Sequence, residues 1–196
     1  MSEPVRCWPT TDPLYLEYHD REWGRPDTDE RTLYEKMVLE GFQSGLAWIT
    51  ILRKRPAFRA AFANFDPDAV AAFGDDDVAR LMSDAGIVRN RRKIEAAIVN
   101  ARAVVALRDD GGLPGLVWGH RPAPSAPAGA MADLPAQTDA SKALAKELKR
   151  RGFAFVGPTT MYALMQACGI VNDHLAACWV RDEVQAEQES AAARFA

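Results

Sequence analysis

Three cysteines and three histidines occur in 196 residues, few enough to weigh one by one. His174 and Cys178 are four apart in NDHLAACWV, and on a helix that spacing predicts one shared face within reach of one ion. Cys7 and His19 lie twelve apart near the N-terminus. A Cys2His2 set drawn from the two chain ends would close a tetrahedral zinc site and pin an end that otherwise frays. Two buried thiols and two unrelated histidines satisfy the same spacing, and no CxxC pair decides between the readings. Cys168 sits in the apolar run YALMQACGI, where packing suits it better than ligation, and His120 falls in a Pro/Gly-rich stretch open to solvent.

A second group surrounds one carboxylate. Glu40 lies in MVLEGFQSGLAWI, and Trp8, Tyr15, Tyr18, Trp23, Phe42 and Trp48 crowd the same quarter of the chain. Aromatic faces sandwich a flat ring and attract positive charge, while a carboxylate accepts from ring N–H groups. The group therefore suits a cationic or amine-bearing base. It equally suits an aromatic core with Glu40 at a helix end.

A third group could hold a polyanion. KELKRRGFAFVGPTTMYAL reads as a basic helix, a tight turn and a second helix. Gly157 permits close approach of a backbone, and Pro158 with Thr159 fits a first helical turn whose free amides form an anion site. Lys149, Arg150 and Arg151 lie beside it. The net charge is only -3, yet residues 53–59 hold four basic groups and no acid. Residues 89–108 hold six against one acid, and residues 142–151 five against one. Such asymmetry permits a basic face on a mildly acidic protein, although solvated helix faces give the same pattern.

The elements that must position these groups read as helices nearly throughout, and the predicted class is all-α. Residues 30–44 place Leu33, Tyr34, Met37 and Val38 at helical spacing behind Asp29 as N-cap. Asp66 and Pro67 open another helix, DDDVARLMSDAGI forms a third ending near Gly86, and NRRKIEAAIVNARAVVAL is long and amphipathic. Two more are predicted over 141–151 and 159–168, with a fraying helix at the C-terminus. Residues 111–135 hold five of the twelve prolines and five of the thirteen glycines, a connection that could join two helical lobes of a single 1–196 domain. The longest apolar run, Leu175 to Val180, is six residues, far short of a membrane span, and MSEPVRCWP has no apolar secretory core. A cytoplasmic monomer without a disulfide framework is expected.

Taken together, DPLYLEYHDREWG, LEGFQSGLAWITIL, DAGIVRNRRKI and RGFAFVGPTTMYALMQACGIVNDH, with the terminal AAC, resemble the DNA-3-methyladenine glycosylase I family from about Cys7 to about Cys178. The resemblance implies a helix-hairpin-helix DNA glycosylase fold whose chain ends are tied by zinc. It places the zinc ligands on Cys7, His19, His174 and Cys178. Glu40 matches the family's base-recognition carboxylate and is the candidate catalytic residue. Trp48 matches the ring that stacks on the base and Tyr18 a pocket tyrosine, while Trp8 and Trp23 resemble further pocket aromatics. Phe155-Val156-Gly157-Pro158 resembles the backbone-binding hairpin, and Gly45 with Leu46 the segment that fills the gap left by a flipped nucleotide. Cys7 is followed directly by Trp8, where the family more often has a residue between them. Many members of the wider superfamily carry an aspartate after the hairpin where this chain has Asn172, and Asp173, one residue along, is expected to point elsewhere.

The implied activity is hydrolysis of the N-glycosidic bond of 3-methyladenine in alkylated double-stranded DNA by base flipping, without strand cleavage, releasing free 3-methyladenine. A non-catalytic damage-binding module that keeps the pocket is the rival, and a bifunctional lyase a third reading.

Overall fold

In the computed structural model, residues 4–195 are described, and among them there is no strand. Ten α-helices follow in order: α1 (Pro13–Arg21), α2 (Glu30–Gln43), α3 (Trp48–Ala61), α4 (Pro67–Ala71), α5 (Asp75–Ser83), α6 (Arg91–Ala106), α7 (Gly112–Trp118), α8 (Asp139–Arg150), α9 (Pro158–Ala167) and α10 (Arg181–Ala192). Short 3-10 turns occupy Ala63–Phe65, Arg108–Asp110 and Met131–Asp133. None of the helices is long and apolar enough to cross a membrane.

The helix starts follow local chemistry. Asp12, Asp29 and Asp66 each accept from first-turn amides of α1, α2 and α4, and Pro13 and Pro67 supply first residues with no N–H to satisfy. Asn90 caps α6 and Thr138 caps α8. Helices α1 and α3 have no counterpart among the sequence-level expectations. Pro56 lies inside α3 on its exposed side and breaks the pattern that would mark that helix.

Apolar burial falls into two clusters. The larger runs from Leu33 on α2 through Phe58, Phe62 and Ile94 to Leu148 and Met165. The smaller gathers Cys7, Tyr18, Trp23, Leu52, Ala167, Cys178, Val180 and Val184, and so ties both chain ends together. Trp48 packs against both clusters, which puts the start of α3 at the seam.

Two glycines make the seam possible. Gly24 has φ +81, and a Cβ there would stand 2.9 Å from His174 Nε2. Gly169 has φ +70, and its Cβ would lie 2.6 Å from the Gly24 carbonyl oxygen. No side chain fits either place, so the N-terminal segment and the end of α9 touch backbone to backbone.

Candidate active site and metal cluster

The histidine–cysteine spacing does not arise from a helix. Helix α9 ends at Ala167, Gly169 turns the chain in the left-handed region, and residues 172–175 are irregular before a turn at 176–177. The turn closes through Cys178 N–H donating to the Leu175 carbonyl at 2.9 Å. Asn172 stabilises the non-helical path by donating to the Arg181 carbonyl and to Gln185, both at 3.1 Å. Its amide thus serves the start of α10. Asp173 is buried and accepts from Tyr162 Oη at 2.5 Å and Gln166 Nε2 at 2.8 Å, so its carboxylate is already engaged by α9.

Cys7, His19, His174 and Cys178 nevertheless converge. All four are buried, and their donor atoms lie within 4.8 Å of one another. Cys7 Sγ and Cys178 Sγ stand 3.3 and 3.4 Å from His174 Nδ1, and Cys178 Sγ is 3.6 Å from His19 Nε2. Tetrahedral zinc with its usual bond lengths separates a nitrogen from a sulfur ligand by roughly 3.5 Å. The outer nitrogens are also prepared. His19 Nδ1 meets the Asp20 carboxylate at 2.8 Å, Arg6 grips that carboxylate with two 2.8 Å bonds, and His174 Nε2 lies 2.9 Å from the Trp23 carbonyl. These acceptors hold the outer nitrogen of each ring, the arrangement found behind metal-bound histidines, and His19 Nε2 on the inner side accepts from the Cys7 backbone N–H at 3.1 Å. Burial pushes the Cys7 thiol up to about 12 and the His174 imidazole down to about 4. A bound dication would reverse the first and accept the second, since it binds thiolate and neutral imidazole. The four residues therefore fit a closed structural metal site.

The aromatic group spans from this cluster to Glu40. Trp8 packs edge-on against His19 at 4.7 Å and Trp23 at 5.0 Å, and Trp23 against His174 at 4.7 Å. Trp8 and Trp23 thus wall the metal cluster, with Trp8 continuing to Tyr15 at 5.2 Å. Tyr15 leads to Tyr18 at 6.3 Å, and Tyr18 to Trp48 at 5.5 Å. Burial, and behind it the charge of Glu40, raises the phenols of both Tyr15 and Tyr18. Tyr15 is a site neighbour that the sequence placed among the aromatics without a role.

Glu40 is only 6% exposed on α2, and its carboxyl makes no hydrogen bond or ion pair among the described residues. Burial pushes it up to about 8, against the pull of Lys36 one turn earlier. The Trp48 indole N–H is likewise buried and without a partner. Unpaired buried polar groups are costly, so two at one seam mark a place where a ligand completes the bonding. Lys36 does not supply the missing partner. Its ammonium is 2.5 Å from Asp27 and donates to the Ala167 carbonyl at 2.8 Å.

The hairpin between α8 and α9 spans residues 151–157. Gly152 is left-handed at φ +91, and Phe155 adopts φ +56 while 45% exposed, a strained backbone on a solvent-facing aromatic that costs about 1–3 kcal/mol. Gly157 is the N-cap of α9 and offers no side chain to its amides, and a Cβ there would meet nothing within 4 Å. Gly45 and exposed Leu46 form the tip of the turn between α2 and α3.

The basic stretches are less free than their sequence implies. Arg53 pairs with Asp12, Arg55 with Glu22 and Glu35, Arg59 with Glu35, and Arg108 with Glu30 and Asp68. Arg150 and Arg151 both turn onto Glu147, and Arg151 also reaches Asp110. Acids elsewhere in the chain pair with Arg53, Arg55, Arg59, Arg108 and Arg151, and Glu147 on the same helix pairs with Arg150, so of the run 149–151 only Lys149 projects without an ion pair among the described residues.

Comparison with known proteins agrees with this geometry. Residues 8–182 match the methyladenine glycosylase family. The DNA-3-methyladenine glycosylase 1 of Escherichia coli (strain K12) is 51% identical over 178 residues, covering 88% of this chain and 95% of that protein. A crystal structure of a 3-methyladenine DNA glycosylase I superposes with a TM-score of 0.86 at 49% identity, covering 89% of this chain and 98% of the other. A 3-methyladenine DNA glycosylase I from Staphylococcus aureus, solved to show the structural basis of 3-methyladenine recognition, superposes with a TM-score of 0.84 at 34% identity, covering 88% and 93%. With the match spanning nearly the whole chain, this protein belongs to the methyladenine glycosylase family.

Proposed function

We propose that this chain is a DNA repair glycosylase that hydrolyses the N-glycosidic bond of 3-methyladenine in alkylated double-stranded DNA. The observation that carries the reading is the buried, unpartnered Glu40 carboxyl beside the Tyr18–Trp48 aromatic pair. The lesion is cationic in DNA and leaves as a neutral base, so its glycosidic bond is already weak. The protein must chiefly flip the nucleotide, at a cost of a few kcal/mol, and hold the base. Stacking on Trp48 offsets that cost, Glu40 accepts from the donor edge of the base, and Tyr18 closes the site. The ionised Glu40 also favours positive charge at the sugar as the bond breaks.

DNA is held by the uncapped start of α9, by Lys149 and by the hairpin, while Leu46 at the Gly45 turn occupies the space left in the stack. Lys36, engaged by Asp27 and a carbonyl, offers no free amine, which supports a monofunctional enzyme over a lyase. Zinc at Cys7, His19, His174 and Cys178 would be structural, because four protein ligands leave no open position. The chain acts as a single-domain monomer in the cytoplasm.

Chromatography of bases released from methylated duplex DNA tests the activity. Free 3-methyladenine above the spontaneous rate is expected. Tight binding without release would favour the damage-binding module, and a covalent adduct trapped by borohydride would favour a lyase.

A further inference from the structure

Two polar side chains on one face of α6 reach neither Glu40 nor solvent acids. Lys93 Nζ donates to the Phe42 carbonyl at 2.9 Å and the Ser44 carbonyl at 2.8 Å, closing the end of α2 where the Gly45–Leu46 turn begins. Asn100 grips the hairpin from both sides. Its Oδ1 accepts from Ala154 N–H at 2.7 Å and its Nδ2 donates to the Ala154 carbonyl at 3.0 Å. Ala154 immediately precedes Phe155, the exposed residue held at φ +56. Lys93 and Asn100 are seven residues apart, two helical turns, so their side chains share a face and their anchor points are set about 10 Å apart by the helix rise. Between them Ala96 and Ala97 present little bulk. The last turns of α2, which lead into the Gly45–Leu46 turn, and the hairpin come together there, with a Gly41 Cβ position 3.9 Å from Phe155 Cβ.

We infer that Lys93 and Asn100 are positioning residues for base extrusion. Helix α6 sets the spacing between the Leu46 turn and the hairpin, so that one enters the base stack while the other holds the backbone. The inference rests on the reading that these two loops face DNA. Both side chains spend their hydrogen bonds on backbone groups of those loops, which is the work of a support rather than of a phosphate contact. Lys93 acts here as a bridge between carbonyls, and its contribution does not scale with the charge of the DNA.

The test compares Lys93→Met, Lys93→Arg, Asn100→Ala, Leu46→Ala and the double variant Lys93→Met/Leu46→Ala in the full chain. Single-turnover release of 3-methyladenine from duplex DNA, the salt dependence of DNA binding and affinity for the free base are measured for each. Lys93→Met and Asn100→Ala should slow release at least about tenfold while keeping the wild-type salt slope and free-base affinity within about twofold. Lys93→Arg, which still donates to two carbonyls, should recover most of the rate. The double variant should be no slower than Leu46→Ala alone, because Lys93 acts through Leu46. A salt slope reduced by about one in Lys93→Met would make Lys93 a phosphate contact and overturn the inference. Wild-type release by Lys93→Met and Asn100→Ala while Leu46→Ala is impaired overturns the α6 role alone. Wild-type release by Leu46→Ala as well overturns the assignment of the DNA face, and the inference with it.

Discussion

Glu40 is held in a place where its proton is worth more than in water, and that has two consequences. Burial pushes its carboxyl up to about 8 in the folded protein from an ordinary value of 4.5. Between those values the folded chain binds the proton that the unfolded chain has lost, so stability falls as pH rises through the window. Glu40→Gln, which cannot titrate, should flatten the fall, and thermal melts at about pH 6 and about pH 9 would show it. Binding of a base whose N–H groups need the carboxylate as acceptor should expel the proton. Calorimetry of free 3-methyladenine binding in buffers of different ionisation enthalpy should therefore report proton release near neutral pH in the wild type and none in Glu40→Gln. Equal proton release by both proteins would remove Glu40 from the pocket. At the neighbouring ring, Trp48→Leu should weaken free-base binding by about 1–3 kcal/mol, the usual loss for an aromatic that stacks on a base. Tyr18 and Glu40 were legible as residue types in the sequence. The unpaired state of Glu40 was not, because it depends on what Lys36 binds instead.

At the scale of elements, the contact between the N-terminal segment and the end of α9 holds the Cys7–His19–His174–Cys178 cluster together. Gly169→Ala would drive a methyl into the Gly24–Pro26 backbone and force a side chain into φ +70. We expect a loss of more than about 2 kcal/mol in urea unfolding and reduced retention of zinc, since the fault separates the two halves of the ligand set. Stoichiometric zinc in the wild type and its loss in Cys178→Ser, by metal analysis, checks the site itself. Asp20→Asn leaves the four ligands intact but weakens the orientation of His19. It should accelerate zinc transfer to a chelator by about 10–100-fold without abolishing the fold. The sequence supplied the four ligand residues, yet the predicted helical face for His174 and Cys178 is absent. Gly169 ends α9 before them, and the non-helical path held by Asn172 delivers the side chains instead.

For the whole molecule, charge is arranged by pairing across the fold more than by runs along the chain. Ion pairs between elements, such as Arg108 in its 3-10 turn with Glu30 and Asp68, consume cations that composition alone assigns to a basic face. DNA binding should accordingly depend on salt less steeply than the count of Lys and Arg suggests, with Lys149 and the free amides of α9 as principal contacts. Gly157 offers a clean probe, because a Cβ there meets only open space. Gly157→Leu should melt within a few degrees of wild type and bind free 3-methyladenine normally, while duplex affinity falls about tenfold or more. A parallel loss of free-base affinity would make the hairpin's role structural.

The all-helical class and the capped starts at Asp29 and Asp66 follow from the sequence alone, because caps, prolines and helical periodicity act over a few residues, whereas α7 (Gly112–Trp118) occupies part of the Pro/Gly-rich stretch 111–135. The identity of the candidate ligands and of Glu40 is also sequence-borne, since scarce residue types can be weighed singly. Tertiary structure decided which groups meet. It moved Trp8 and Trp23 against the histidines, brought Tyr18 and Trp48 to the seam by Glu40, and set Lys93 and Asn100 under two distant loops. It also paired Arg53, Arg55, Arg59, Arg108 and Arg151 of the basic runs with acids tens of residues away. The physical reason is one of range. Propensity and capping are local, whereas burial, charge pairing and hydrogen-bond satisfaction are settled by side chains that become neighbours only when the helices pack.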